Sequence, residues 1–252
     1  MSKILYDLIA MSNELGKPEN DLAIFGEGNT SAKTEEGDRF WVKQSGSELR
    51  TIDEGGFALL DLAATEALLD ADLRSDQEIL AALLSKRVDG GARYPSVETI
   101  MHAYLLGLPG VKFVGHTHPT ALNGILCSTR AEELISMRLF PEQLVCCGLA
   151  PVWIPYADPG LTLARKVREQ TVAWMEQYGA VPRSITIQNH GLFALGGTAR
   201  EVLSCTMMWN KTARVILNAM SCGGVNFLPQ DQVTRLATRP EEKLREAVIF
   251  NA

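Results

Sequence analysis

The sequence predicts an α/β or α+β domain, and three observations point there. Segments of helical periodicity alternate with short β-like runs along the whole chain. No internal repeat or low-complexity linker breaks that alternation. The 252 residues, 46% hydrophobic and 21% charged, are enough to bury one substantial core.

The elements follow in order. Apolar residues at helical spacing predict a first helix over residues 4–15. Short strands are expected at 22–25, 30–33 and 40–43, the last two flanking the polar turn 35–38 as an antiparallel hairpin. Residues 56–62 read as a further strand. Ser75 and Glu78 have capping-box spacing and open a helix to about residue 86. Pro95-Ser96 opens another, reaching 106. A strand is expected at 111–116, and helices near 119–126 and 131–139. A short strand at 152–154 precedes a helix over 161–178. Strands at 184–187 and 192–195 surround a turn at His190. Thr198 with Glu201 has capping-box spacing again and opens a long final helix. Residues 1–222 are expected to form the domain. The Gly- and Pro-containing segment 223–252 reads as a C-terminal tail, less tightly packed or reaching a subunit interface.

Composition narrows the function. A net charge of -6 without a basic stripe argues against nucleic acid and anionic membrane as partners. No apolar run is long enough to span a bilayer, and the first residues lack the pattern of a signal peptide. The five Cys show no repeated spacing, and Cys146 and Cys147 are adjacent, so reduced, buried thiols and a cytoplasmic location are expected.

Three of the four His stand where metal chemistry would want them. His116 and His118 end a β-like run, where residues two apart share a face and can reach one ion. His190 lies in a turn between two apolar strands. Three neutral imidazoles with an open position form a catalytic zinc set that also suits Co, Mn or Fe. A lone His-x-His is a weak signal, and spacing alone does not bring His190 to the pair. Glu98, expected in the first turn of its helix, is favoured there by the helix dipole whether or not it has a chemical task. His102, one turn further on the same face, reads as a packed residue supporting its surroundings, not a ligand. The loops 26–31 and 45–47 are rich in Gly and Ser and can form anion-binding nests or ordinary tight turns. Neither fits a Walker or dinucleotide fingerprint.

Taken in order, Gly28-Asn29-Thr30-Ser31, Ser45-Gly46, Pro95-Ser96-Val97-Glu98, His116-Thr117-His118, Ile154-Pro155-Tyr156 and Gln188-Asn189-His190-Gly191 resemble the class II aldolase/adducin family. The resemblance runs from about Leu5 to about Ala219 and includes L-fuculose-phosphate and L-rhamnulose-phosphate aldolases and a ribulose-phosphate epimerase. The stretch from Trp41 to Ser47 is especially similar to the aldolase part of bifunctional rhamnulose-phosphate aldolase/dehydrogenases, whose dehydrogenase half these residues do not contain.

The resemblance implies a three-layer α/β/α domain around a mainly antiparallel sheet, and a homotetramer with sites between subunits. It implies Zn²⁺, with Mn²⁺ or Co²⁺ as alternatives, on His116, His118 and His190. Glu98 would be the general base, and Tyr156 the proton donor to a neighbouring subunit's site. Gly28, Asn29, Ser45, Gly46 and Ser96 would bind phosphate. The implied reaction is retro-aldol cleavage of a ketose phosphate, through a metal-held enediolate, to dihydroxyacetone phosphate and an aldehyde. Decarboxylation of a 3-oxo sugar-acid phosphate uses the same enediolate and is the main alternative, ahead of epimerisation or a non-catalytic adducin-like module. Val97 stands where family aldolases often have a second Ser, and Gln44 where a small residue is common.

Overall fold

A computed structural model describes residues 1–251. In chain order its elements are α1 (Lys3–Leu15), β1 (Asn29–Lys33), β2 (Arg39–Lys43), β3 (Phe57–Asp61), α2 (Leu62–Glu66), α3 (Asp76–Ser85), α4 (Thr99–Gly107), β4 (Phe113–Thr117), α5 (Thr120–Leu126), α6 (Ala131–Ser136) and α7 (Pro141–Cys147). There follow β5 (Val152–Ile154), α8 (Leu161–Tyr178), β6 (Ser184–Ile187), β7 (Gly191–Gly196), α9 (Ala199–Ser221), α10 (Gln230–Ala237) and α11 (Pro240–Asn251).

The seven strands form one sheet in the order β3-β2-β1-β4-β7-β6-β5. Every pairing is antiparallel except β5 with β6. One face buries Val42, Leu60, Val114, Phe193 and Ile187 against Ile100, Met101 and Leu105 of α4 and Leu163 and Val167 of α8. The other buries Ala32, Phe113, Leu192 and Ala194 against Leu8 and Leu15 of α1, Ile125 of α5 and Trp209 and Ile216 of α9. Helices on both faces of a mainly antiparallel sheet make the expected three-layer α/β/α architecture. The alternation of faces along each strand fixes its register, because a slip of one residue would turn His116 away from Asn29, its cross-strand partner.

Several expectations are corrected. Residues 22–25 form no strand: Asp21 and Phe25 both adopt left-handed backbone, with φ of 54° and 51°, which cannot extend a ladder. Leu22 is nevertheless buried, and its carbonyl accepts the His118 N–H at 2.8 Å. The helix expected from residue 95 begins at Thr99, because Gln44 bridges to Pro95 and the Ser96 N–H donates to the Lys43 carbonyl at 3.0 Å. Glu98 is therefore the N-cap position, not a first-turn acid. The helix after residue 131 stops at Ser136.

The box at Ser75 and Glu78 is complete. At Thr198 only half forms: Thr198 accepts the Glu201 N–H, while the Glu201 carboxylate takes the Gly197 N–H. α9 is not the last helix. Leu144 of α7 packs with Val233 and Leu236 of α10, and the Leu228 N–H donates to the Arg138 carbonyl at 2.8 Å. The start of the C-terminal segment is thereby tied to its own chain. Among the described residues no helix is long and apolar enough to cross a membrane. All five cysteines are free, with Cys146, Cys147 and Cys205 buried and Cys127 and Cys222 exposed.

Candidate metal centre

The three central strands build the site. β1 pairs with β4 so that Asn29 lies opposite His116, and β4 pairs with β7 so that His116 lies opposite Phe193. The His116 ring stacks on Phe193 with centroids 4.0 Å apart. His118 follows directly after β4, and His190 sits in the tight β6–β7 turn after Asn189, whose φ is 54°. The chain passes too close here for larger residues. A Cβ on Gly191 would lie 2.5 Å from the Thr117 carbonyl oxygen, and one on Gly28, at φ 67°, would lie 2.6 Å from that of His116.

His116, His118 and His190 gather with one ligand atom from each within 4.8 Å of the others. The rings of His116 and His118 meet at a centroid distance of 4.7 Å, and those of His116 and His190 at 5.0 Å. His116 donates from Nδ1 to the Leu192 carbonyl at 3.0 Å, which leaves Nε2 as a bare lone pair. That Nε2 lies 3.0 Å from Nε2 of His118. On the far side of His118, Nδ1 faces the Glu27 carboxylate at 3.8 Å.

Burial pushes His116 well below the ordinary imidazole value and lowers His118 as well. Neutral rings whose lone pairs converge are a poor arrangement for a dry protein interior and a good one for a cation.

Glu98 completes the cluster. Its Oε2 lies 3.4 Å from Nε2 of His116 and its Oε1 3.3 Å from Nε2 of His190. Burial opposes its charge. The charge of His116 and His190 when they carry protons, and the side-chain N–H of Asn29, act against burial and lower the carboxyl below the usual carboxylate range. Oε2 accepts from Nδ2 of Asn29 at 2.7 Å, whereas the buried Oε1 has no hydrogen-bond partner among the described residues. A buried carboxylate oxygen left without a donor beside three imidazoles fits a divalent metal ion. Two or three imidazoles and an adjacent carboxylate are the donor types that such ions take.

The remaining expected residues divide. Ser45, Gly46 and Ser96 come together where the segment 44–46 runs antiparallel to 94–96. Ser45 donates through Oγ to the Pro95 carbonyl at 3.1 Å. Ser96 Oγ accepts both Asn29 Nδ2, at 3.2 Å, and the Glu98 N–H, at 3.3 Å, so its own hydrogen remains for another acceptor. Gln44 does not face this loop. It is buried and ties the Gly55 and Phe57 carbonyls to Arg87. Val97 is exposed beside the cluster.

Lys43, which no sequence argument singled out, is buried and donates to the Gly26 carbonyl at 3.0 Å. Burial lowers its pKa while the Glu98 charge opposes that shift. Tyr156 stands apart from the cluster: it is 54% exposed, and its hydroxyl donates to Asp158 at 3.0 Å.

The chain belongs to the family described as the Class II Aldolase and Adducin N-terminal domain, which matches residues 7–217. It is 29% identical over 225 residues to the Bacillus subtilis (strain 168) protein named "Uncharacterized oxidoreductase YuxG", covering 86% of this chain but only 30% of that protein's length. Among solved structures it is similar to the N-terminal class II aldolase domain of a conserved protein from Thermoplasma acidophilum, with TM-score 0.67 and 26% identity over 86% of this chain and 95% of that one. It also shares its fold with an L-fuculose 1-phosphate aldolase, at TM-score 0.69 and 19% identity over 97% of both chains.

Proposed function

We propose that this protein is a metal-dependent carbon–carbon lyase that cleaves a ketose phosphate to dihydroxyacetone phosphate and an aldehyde. The observation that carries the reading is the Glu98 carboxylate, ionised, buried and lodged between His116 and His190 with one oxygen free of hydrogen bonds. A carboxylate so held is too costly to keep for packing alone. Membership of the class II aldolase family and the shared fold of an L-fuculose 1-phosphate aldolase support the same reading.

His116, His118 and His190 would hold the ion, Zn²⁺ in first place and Mn²⁺ or Co²⁺ as alternatives. Bound there, a divalent cation supplies Lewis acidity to a substrate carbonyl. Glu98 lies against the cation position and serves as the proton-transfer group at the carbon of the three-carbon product that loses its bond. Ser96 offers its free hydroxyl hydrogen, and Gly46 and Ser45 the loop beside it, to the substrate phosphate. Gly28 lets its loop approach the His116 backbone, and Asn29 joins the phosphate loop to Glu98.

Tyr156 exchanges the proton at the aldehyde oxygen, in the site of another copy of the chain. Its side chain faces solvent and contacts Asp158, so a homo-oligomer, expected as a tetramer, is what would place it. A cytoplasmic location accords with the free thiols, three of them buried.

The test is a mass-spectrometric product screen of the Zn²⁺-loaded protein with ketose 1-phosphates and 3-oxo sugar-acid phosphates. Dihydroxyacetone phosphate with an aldehyde is the expected result. A product lighter by CO₂ from a 3-oxo acid would replace the aldolase reading with a decarboxylase at the same residues.

A further inference from the structure

One buried hydrogen-bond chain leads away from the metal centre into the core. It runs behind Glu98 through four side chains on two elements: Ser31 and Asn29 on β1, His102 on α4, and Glu98 at the N-cap of α4. Ser31 Oγ lies 2.6 Å from Nδ1 of His102. Nε2 of His102 is hydrogen-bonded to Oδ1 of Asn29. Nδ2 of Asn29 donates to Oε2 of Glu98 at 2.7 Å. Ser31 and His102 are fully buried, and Asn29 and Glu98 nearly so.

The direction of every bond in this chain follows from Asn29. Its Nδ2 faces both Oε2 of Glu98 and Oγ of Ser96, which leaves its carbonyl oxygen to His102. That carbonyl only accepts, so Nε2 of His102 must carry the ring hydrogen. Burial lowers the His102 pKa to about 4, so the ring is neutral near pH 7 and Nδ1 must accept. The Ser31 hydroxyl therefore donates. The amide of Asn29 is fully engaged: one hydrogen goes to Glu98, the other to Ser96, and the oxygen to His102.

We propose that His102 is a positioning residue that locks the Asn29 amide in one orientation and thereby aims the Glu98 carboxylate at the histidine cluster. Its effect on turnover rests on the reading of Glu98 as the proton-transfer group; its effect on Asn29 does not. The lock has a second consequence. Asn29 serves the phosphate loop through Ser96 and not by a free N–H of its own. Without His102 the amide can rotate by half a turn and present a carbonyl oxygen to the carboxylate, which repels it.

The experiment pairs nitrogen NMR with variant kinetics. In the wild-type protein, ¹⁵N shifts of His102 should show a neutral ring protonated at Nε2 and bare at Nδ1. The Asn29 NH₂ hydrogens should be protected from exchange with solvent, and should lose that protection in His102→Leu. Gln places a donor near the Nε2 position and Asn does not. His102→Gln should therefore keep kcat within about threefold of wild type, while His102→Asn and His102→Leu lose at least about tenfold with bound metal unchanged. A merely structural role would instead lower the melting temperature and kcat of all three variants together.

A ring protonated at Nδ1, or His102→Leu with full kcat and full metal content, would overturn the proposal. If the leucine variant does not fold, the wild-type tautomer and the His102→Gln against His102→Asn comparison decide it. If the wild-type protein cleaves no ketose phosphate, the reaction proposed above fails. The tautomer and the Asn29 exchange rates still accept or reject the lock.

Discussion

The centre of the sheet and its rim are built to opposite rules. At the centre, β1, β4 and β7 lie side by side, and Asn29, His102, His116 and Glu98 are buried with their orientations fixed by named neighbours. At the rim, Tyr156 follows the edge strand β5 and is 54% exposed, and Phe25 is 82% exposed in a left-handed conformation. Groups that must hold their geometry before anything binds sit on strands and at a helix cap. In the proposed function, the groups that would meet a substrate or a second copy of the chain sit on loops, where their own chain leaves them exposed.

The largest effect should come from the centre. His190→Ala removes one of the three imidazoles, and metal analysis should find bound zinc reduced from about one equivalent per chain to about a tenth or less, with activity lost. Retention of stoichiometric metal would take His190 out of the ligand set.

Glu98→Gln should keep the metal yet lower kcat about a thousandfold, close to 4 kcal/mol in barrier. A rate near wild type would move proton transfer to another group.

The buried His102 should write itself into stability against pH. Its folded pKa, about 4, is below the ordinary value of 6.5. Between those values the unfolded chain binds a proton that the folded chain refuses. Its contribution is thus complete above about pH 6.5 and falls away as pH drops towards 4, by on the order of 3 kcal/mol. Denaturant melts at pH 7.5 and pH 5 should show a steeper loss for wild type than for His102→Gln. Equal slopes would show that His102 is not the buried neutral ring described here.

The rim should respond more mildly. Tyr156→Phe should cost about 2 kcal/mol in barrier, roughly thirtyfold in kcat, without altering metal content or melting temperature. Mixing it with Glu98→Gln then sharpens the comparison. If Tyr156 acts in another copy's site, mixed oligomers regain part of the activity that each variant lacks alone. No recovery on mixing would return Tyr156 to its own chain's site.

Much of this contrast was legible in the sequence. His-x-His at the end of a β-like run named two members of the cluster, because strand alternation puts residues two apart on one face, while the place of His190 beside them was implied only by the family resemblance. The complete box at Ser75 and Glu78 was legible because its hydrogen bonds are local. Residues 22–25 misled because apolar content says nothing of the left-handed backbone at Asp21 and Phe25 that bends them away. α7 was overlooked although Pro141 at its start and Gly148 at its end, with φ 76°, are the usual marks of helix boundaries. Glu98 was placed in a first helical turn because the pairing that delays the helix, Gln44 with Pro95, joins segments fifty residues apart.

The sequence by itself determined the alternation of helices and strands and the residue types of the site, and its ordered motifs carried the family resemblance that implied the layers. Periodicity, caps and short ordered motifs act over a few residues and survive without the rest of the molecule. Only the tertiary structure decided what those residues do to one another. It brought His190 to His116, gave Asn29 wholly to Glu98, Ser96 and His102, turned Gln44 into a backbone tie, buried Lys43, and left Tyr156 facing outwards. Each of those outcomes depends on strand pairing or packing between distant segments, where the orientation of a single amide or ring is set by the one neighbour able to accept or donate.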